Sequence, residues 1–425
     1  MHSVRRIRRT TGRESGRGMR VIWWSVKLGV AAGGCGLKMV PMIRKHTQAG
    51  TSLSPLLLSA IRLIVCISLQ FLASVQPAGA APADVNLQWV DAADLCLEGK
   101  GWTATKSFYD RLPARVEGVV PPAVWGLAQD SAGMAIRFTT DAKRISARWT
   151  VRSKTLAMTH MPASGVSGVD LYIRHRGEWR WLGAARPDDA VTAEKQLASG
   201  LGGEPHDFLL YLPLYNGVSK VEIGVPAEAK CAASAPRSSS AKPILFYGTS
   251  IVQGGCASRP GMAYPAILGR RFDGPTINLG FSGSARCEAE VGQLLAELDP
   301  SVYVLDPLPN MSADLVAERL PGVLAAIRQA HPRTPIVLVE NVEPGSAAVT
   351  GGRRPGWTKS NETLRKIYDE RRKAGDRRLF YVPARGLLGE DGQGTVDGVH
   401  PTDLGFMRMA DGIEPVLKKA LRAAR

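Results

Sequence analysis

Cysteine, histidine and aromatic residues are scarce in this sequence, and their scarcity argues against several kinds of site. The 425 residues include six cysteines and seven histidines, and Phe, Trp and Tyr together make up 6%. No two cysteines have C-x-x-C spacing, so we expect no zinc site and no metal or other cofactor. The motifs His-Glu-x-x-His and Gly-x-Ser-x-Gly and the phosphate-binding loop are also absent.

Acidic residues are nearly absent from the first 80 positions, where twelve Lys and Arg accompany a single Glu. This segment carries +11 of the formal net charge of +16, which leaves +5 for the other 345 residues. A basic leader followed by a mildly basic body does not form a phosphate-binding face. We therefore expect no nucleic-acid partner.

The leader, residues 1–80, also lacks an apolar run long enough to span a bilayer. Its main apolar run, 63–75, has thirteen residues, whereas a spanning helix needs about 20. Arg44-Lys45 precedes this run and Ala78-Gly79-Ala80 follows it, which is the pattern of a secretory signal peptide. We predict cleavage near Ala80, a secreted or periplasmic protein and no stable membrane anchor. Residues 1–41 fit a signal peptide poorly, and we interpret them as an over-extended start before Met42.

Residues 85–228 have the pattern of strands and no long segment of helical period. Short runs rich in β-branched and aromatic residues alternate with Gly, Pro, Asp and Asn, which is typical of an antiparallel sandwich. Arg176-Gly177 lies between two runs as a candidate hairpin turn. The six predicted strands are 135–138, 145–151, 169–175, 179–183, 207–212 and 220–225.

The character of the chain changes after a predicted linker, 229–242, which is centred on Pro236 and the serines at 238–240. Over residues 243–425, apolar strands alternate with helical segments. This alternation predicts a flavodoxin-like, doubly wound α/β domain with a parallel sheet covered on both faces. The predicted strands are 243–247, 276–281, 302–305, 336–340 and 379–382, and the predicted helices are 263–271, 288–298, 313–329, 359–373 and 403–422.

Small and polar residues follow the predicted strands of this second domain. Ser250 comes after the first strand, Gly283 after the second and Asn310 after the third, while Asp397 and His400 precede the last helix. Ligands of open α/β sheets bind at the carboxyl ends of the strands. We therefore expect these five residues to meet at one edge of the sheet.

These residue types suit nucleophilic catalysis. A serine hydroxyl is a weak nucleophile until a base removes its proton, and we assign His400 as the base for Ser250. Asp397, three residues before His400, can accept a hydrogen bond from the imidazole and fix its tautomer. The backbone N–H groups of Ser250 and Gly283 and the amide of Asn310 are the predicted oxyanion hole.

The order of these blocks resembles the SGNH, or GDSL-type, hydrolase superfamily, whose four blocks carry Ser, Gly, Asn and His. The resemblance covers residues 243–425, and the stretch 247–261 resembles a branch in which a β-sandwich precedes the hydrolase. It implies an all-β, jelly-roll-like first domain and the catalytic roles given above. Two departures concern the oxyanion hole: Thr249 replaces the Asp of Gly-Asp-Ser, and Asn310 follows Leu-Pro instead of standing in Gly-x-Asn-Asp.

Simpler roles remain open for several of these residues. Ser250 alone could cap a helix, Gly283 could serve a tight turn, and Asn310 could be a turn residue. Asp306 and Asp403 are competing carboxylates near the same edge, and Asp403 also suits the first turn of the last helix. His331, the other histidine of this domain, precedes Pro332 and has the pattern of a helix end.

The cysteines and the aromatic residues of the sandwich carry further alternatives. Four cysteines follow the leader and allow three pairings or free thiols. A disulfide between Cys256 and Cys287, in loops expected to flank the site, and two free thiols are both open. His160 could lean over the site, or its loop could pack on the second domain. The aromatic residues interpreted as sandwich core are Trp149, Tyr172, Trp179 and Trp181.

Together these features predict an exported, metal-independent serine esterase that hydrolyses short-chain esters, acetyl esters foremost. A sandwich that resembles a sugar-binding module suggests carbohydrate as the alcohol, and this step is an analogy from fold. The expected partner is an acylated small molecule or polysaccharide. Two alternatives are an acyltransferase using the same triad and a non-catalytic carbohydrate-binding protein.

Overall fold

The structure, a computed structural model, describes residues 30–31, 34–35, 86–238, 241–342 and 355–424. The chain forms two compact units, Met1–Pro82 and Ala83–Arg425. In the first unit, strands β1 (Val30–Ala31) and β2 (Gly34–Cys35) pair antiparallel. The predicted signal peptide core and its cleavage site lie outside the described residues. Within the described ranges, no helix is both long and apolar enough to cross a membrane.

Two antiparallel sheets make up the first half of the larger unit. One sheet has the order β3-β11-β6-β9, and the other has the order β12-β5-β10-β7-β8 with β4 also paired to β5. Two short helices, α1 (Pro122–Ala128) and α2 (Ala163–Val166), interrupt the strands. The strands are β3 Leu87–Asp91, β4 Cys96–Glu98, β5 Ala135–Thr140, β6 Arg144–Val151, β7 Val169–His175, β8 Glu178–Ala185, β9 Thr192–Ser199, β10 His206–Tyr211, β11 Val218–Pro226 and β12 Cys231–Ala233.

The predicted strands and the predicted hairpin of this half are present. Arg176 and Gly177 have φ of 51° and 82° and join β7 to β8, with His175 paired to Glu178. Positive φ at both positions is the signature of the tight turn whose twist matches a hairpin. Strand β9 was not predicted, because its residues, among them Ala, Glu, Lys and Gln, are poor strand formers. The jelly-roll-like topology stays a prediction.

The second half is a five-stranded parallel sheet covered by helices, as predicted. Its order is β14-β13-β15-β16-β17, so the strand order reverses at β13, which is where ligands bind in such sheets. The strands are β13 Ile244–Gly248, β14 Thr276–Gly280, β15 Val302–Asp306, β16 Ile336–Val339 and β17 Leu379–Val382. The helices are α3 Ser250–Gln253, α4 Tyr264–Arg271, α5 Ala289–Glu297, α6 Ala313–Ala330, α7 Pro355–Lys373 and α8 Asp403–Ala424.

The two halves share hydrophobic cores. Leu112, Val116 and Val124, which come before most of the sandwich strands, are buried in one cluster with Leu245 and Phe281 of the α/β half. Within the predicted linker, β12 pairs with β5 of the sandwich. The segment 112–128 therefore covers one face of the parallel sheet, although the sequence grouped it with the sandwich.

Candidate active site

Ser250 sits where the chain turns sharply out of β13 into α3. Thr249 is extended and caps this one-turn helix, with its Oγ1 accepting a hydrogen bond from the N–H of Ile251 at 3.4 Å. Gly254 ends the helix with φ of 112°. A Cβ on Gly248 would lie 2.4 Å from the carbonyl oxygen of Asp306, so only glycine fits before the turn. The turn holds Ser250 at the carboxyl end of the central strand.

Three side chains form a continuous hydrogen-bonded chain at this point. Ser250 Oγ lies 2.9 Å from His400 Nε2, and His400 Nδ1 lies 2.7 Å from Asp397 Oδ2. The loop before α8 fixes this arrangement, because Asp397 Oδ1 accepts the N–H groups of Val399 at 2.9 Å and of His400 at 2.8 Å. Gly398, with φ of 84°, allows the tight turn between them. The structure thus brings together the three residues that the sequence predicted as a triad.

Asp397 is held as a carboxylate. Burial works against its ionisation, but hydrogen bonds from the backbone and ring of His400 and from the N–H of Val399 outweigh burial and lower the pKa of Asp397 to about 2. A permanently charged partner keeps the proton of the neutral imidazole on Nδ1 and leaves Nε2 to accept one.

Two of the three predicted oxyanion residues, Gly283 and Asn310, lie in loops that contact each other. Gly283 follows β14 with φ of 66°, and the neighbouring Ser282 donates its N–H to Gln253 Oε1 at 3.0 Å. Asn310 ends a short turn after β15, and its amide donates to the carbonyl oxygen of Ser284. Asn310 therefore reaches the loop of Gly283, with part of its donor capacity already engaged by that loop.

The sandwich half adds two residues to the site. The hydroxyl of Tyr215 donates to the carbonyl oxygen of Ser250 at 3.3 Å, and burial raises the pKa of Tyr215 above its usual range. His160 is exposed, and its ring centroid lies 5.7 Å from that of His400, which answers the question left open by the sequence. Tyr215 was missed because a single Tyr in a loop between two strands carries no spacing signal.

A buried ion pair anchors the loop after Ser250 to the sandwich. Asp170, fully buried on β7, accepts from Arg259 Nη1 at 2.7 Å and from the N–H of Gly261 at 2.9 Å. Trp181 Nε1 also donates to Asp170 at 2.9 Å, and the guanidinium of Arg259 lies 5.0 Å from the Trp181 ring centroid. The interpretation of Trp181 as core was wrong: it is 53% exposed and packs against the half-buried Arg259 on the outer side of this ion pair. Trp149 and Tyr172 are buried, as predicted.

The competing residues are engaged elsewhere. Asp306 is buried and accepts from the hydroxyl of Tyr264 at 3.0 Å; its burial, only partly offset by this bond, raises its pKa to about 8. Asp403 accepts from the N–H of Ser258 at 2.9 Å and from the Ser258 hydroxyl. His331 pairs with the carbonyl of Ala296 at 2.9 Å. In the described chain, none of the three makes a hydrogen bond with Ser250 or His400.

The four cysteines between residues 86 and 424 are free thiols, so no disulfide braces the site. Cys256 and Cys287 are both buried, and both have positive φ, of 71° and 53°. Burial, together with the nearby charge of Asp397, raises the pKa of Cys256 to about 12, which keeps it protonated at neutral pH.

Comparison with protein families gives two matches along the chain. Residues 241–418 match the GDSL-like lipase/acylhydrolase family, and residues 87–231 match a family described as the N-terminus of SGNH-hydrolase-type esterases and named for a G-x-D-L-Y motif. The chain has this motif at Gly168–Tyr172, which includes the buried Asp170. No curated protein matches the chain.

Solved structures share both halves. A structure described as a GDSL-like lipase from Bacteroides ovatus is 36% identical, with a TM-score of 0.74, and the match covers 79% of this chain and 98% of that one. A salicylyl-acyltransferase from a tetracycline biosynthetic pathway is 19% identical, with a TM-score of 0.62 and coverage of 80% and 98%. A family two carbohydrate esterase from Clostridium thermocellum, solved with cellohexaose, is 15% identical, with a TM-score of 0.51 and coverage of 69% and 94%. At these identities the last two show a shared fold only.

Proposed function

We propose, from the premise that the chain belongs to the GDSL-like lipase/acylhydrolase family, that it is an exported serine esterase with Ser250, His400 and Asp397 as its catalytic triad. The observation that carries this proposal is the pair of contacts at 2.9 and 2.7 Å that joins the serine hydroxyl through imidazole to a carboxylate. Such a chain is what a serine needs to become a nucleophile near neutral pH.

In the proposed reaction Ser250 Oγ attacks the ester carbonyl carbon while its proton passes to His400 Nε2. The carbonyl oxygen becomes an oxyanion held by the N–H groups of Ser250 and Gly283 and by the Asn310 amide. His400 then gives the proton to the leaving alcohol. Water, deprotonated by His400, attacks the acyl-enzyme and releases the acid and free Ser250.

Short acyl groups on carbohydrate are the proposed substrates. The sandwich brings Tyr215 and His160 to the site, so the rim of the site includes polar and aromatic groups that suit a hydroxylated alcohol. The carbohydrate esterase with cellohexaose has the same fold, and this likeness supports the substrate class by analogy.

Ester hydrolysis by the purified protein, without added metal, tests the proposal. We expect release of acetate from an aryl acetate and from acetylated xylan, with slower hydrolysis of an aryl octanoate. Ser250→Ala should lower kcat by about 10⁴–10⁶-fold, since the nucleophile is lost. Ser219→Ala is the matched control, because this exposed serine of β11 donates to the carbonyl oxygen of Thr150 in the sandwich, so the variant should retain most of the activity.

Two results would contradict the proposal. Activity that survives in Ser250→Ala would exclude Ser250 as the nucleophile. A folded protein that hydrolyses no ester but transfers an acyl group to an added alcohol would favour the acyltransferase alternative, which has a structural counterpart with this fold. A folded protein that carries out neither reaction would favour the binding-protein alternative.

A further inference from the structure

A histidine, a cysteine and the triad histidine converge beside the nucleophile. One ring nitrogen of His160, Sγ of Cys256 and one ring nitrogen of His400 lie within 4.8 Å of one another. They come from three separate segments: a loop of the sandwich, the loop after α3 and the loop before α8. Because the three residues are far apart in sequence, a search for short ligand spacings such as C-x-x-C cannot find them.

We infer that His160, Cys256 and His400 form a binding site for a borderline-soft divalent cation such as Zn²⁺, and that its occupation switches the esterase off. Imidazole nitrogen and thiolate sulfur are the ligands that Zn²⁺ prefers, at about 2.0–2.1 and 2.3 Å. In tetrahedral geometry these bond lengths place donors about 3.3–3.6 Å apart. The separations, all within 4.8 Å, exceed this range by little more than 1 Å, and rotation of the exposed His160 side chain can shorten its distances to Cys256 and His400.

His400 already has the carboxylate partner that supports many metal-binding histidines. Its Nδ1 is bound to the Asp397 carboxylate at 2.7 Å, which leaves Nε2 as the nitrogen that faces the site. A carboxylate behind a histidine orients the ring and increases the basicity of the ligating nitrogen. Cys256 would bind as the thiolate, with its proton released to solvent. The thiolate and Asp397 together carry two negative charges, which match a divalent cation.

Metal binding and catalysis then exclude each other. His400 Nε2 either accepts the proton of Ser250, 2.9 Å away, or donates its lone pair to the cation. The bound form has no general base, so the cation acts as a reversible inhibitor. The inference concerns regulation of the proposed site, and its binding test does not depend on the esterase activity.

The experiment is titration of the full-length protein with Zn²⁺, by calorimetry, in wild type and in variants. We expect one saturable site in wild type and in Ser250→Ala. His160→Ala and Cys256→Ser should each weaken binding by at least about 10–100-fold, since each removes a direct ligand and loss of a mere supporting group already costs that much. Titration with Co²⁺ should produce a thiolate-to-cobalt charge-transfer absorption that Cys256→Ser abolishes. His175→Ala, an exposed sandwich histidine, and Cys287→Ser, a buried thiol, are the matched controls and should bind as wild type does.

Activity provides a second measurement, with each variant compared with its own metal-free rate. Zn²⁺ should inhibit wild type and both controls, EDTA should restore activity, and His160→Ala should need about 10–100-fold more Zn²⁺ for half inhibition. Wild-type affinity in His160→Ala would overturn the site, as would the absence of saturable binding in wild type. His160 is exposed, so this variant tests the site even if Cys256→Ser fails to fold. If the wild-type protein binds Zn²⁺ as expected but has no esterase activity, the proposed function is contradicted and the metal site is not.

Discussion

At the scale of single residues, the tautomer of His400 is the feature most sensitive to change. Asp397→Asn keeps the shape of the side chain but presents an amide that can donate to Nδ1. The imidazole would then carry its proton on Nε2, where it cannot accept one from Ser250. We expect kcat on an aryl acetate to fall by about 10³–10⁴-fold with KM little changed.

Asp391→Asn is the matched control for this prediction. Asp391 lies in the same loop but pairs with Arg408 at 2.7 Å, on the surface, so kcat should stay close to wild type. A fall in kcat of less than tenfold in Asp397→Asn would exclude Asp397 as the group that orients His400.

Asp306 predicts a pH dependence of stability at the same scale. Its pKa is about 8 in the folded protein and about 3.9 in an unfolded chain. Between these values the folded state binds one proton more, so this carboxyl's contribution to stability is present below about pH 4 and is lost as pH rises toward 8. The loss is at most about 1.4 kcal/mol per pH unit.

Asp306→Asn should remove this loss and keep an acceptor for the Tyr264 hydroxyl. Urea unfolding at pH 5 and pH 8 measures the effect: the free energy of unfolding of the variant should exceed that of wild type by more at pH 8 than at pH 5. Asp189→Asn, at an exposed aspartate in the loop between β8 and β9, should change neither value. Equal differences at both pH values would show that Asp306 is ionised in the folded protein.

At the scale of elements, β7 of the sandwich holds the loop between α3 and α4 through Asp170. Removing the carboxylate leaves Arg259, whose side chain is 21% exposed, next to a buried site without its partner. We expect Asp170→Ala to lower the free energy of unfolding by about 3 kcal/mol. Arg259→Met/Asp170→Ala should lose less than the two single changes added together. Glu178→Gln, in the exposed pair with Arg180 on β8, should have little effect in the same urea titration. Additive losses would show that Asp170 and Arg259 do not act as a pair.

The elements also show what the sequence could and could not predict. The parallel strands and the helices between them were predicted within a few residues, because apolar runs and helical periodicity are local signals. The contacts of Asp170 and Tyr215 with the α/β half were not predictable, because each joins segments far apart in sequence without a motif. For His160 the sequence suggested a contact with that half and left its form open. The convergence of Ser250, His400 and Asp397 was predictable, since all three follow a strand end or precede a helix, where open sheets place their ligands.

At the scale of the whole molecule, the two halves belong to one compact unit and share a hydrophobic core. Segment 112–128 completes a core of the parallel sheet, and Arg111, fully buried, donates to the carbonyl oxygens of Asn278 at 3.1 Å and Gly280 at 2.7 Å. An isolated 243–425 would expose that face and lose those bonds. The division at a linker stays a prediction: it separates two sheets and two sequence families, while segment 112–128 packs across it.

This shared core has a consequence for synthesis. Val124 leaves the ribosome roughly 120 residues before β13, the first strand of the parallel sheet, which at about 5–20 residues per second is a delay of roughly 6–24 s. Throughout that interval the apolar side of segment 112–128 has no partner strands. That apolar side therefore stays uncovered until the strands that pack on it have been made. The order of translation thus places the completion of the shared core late, after the sandwich strands have already left the ribosome.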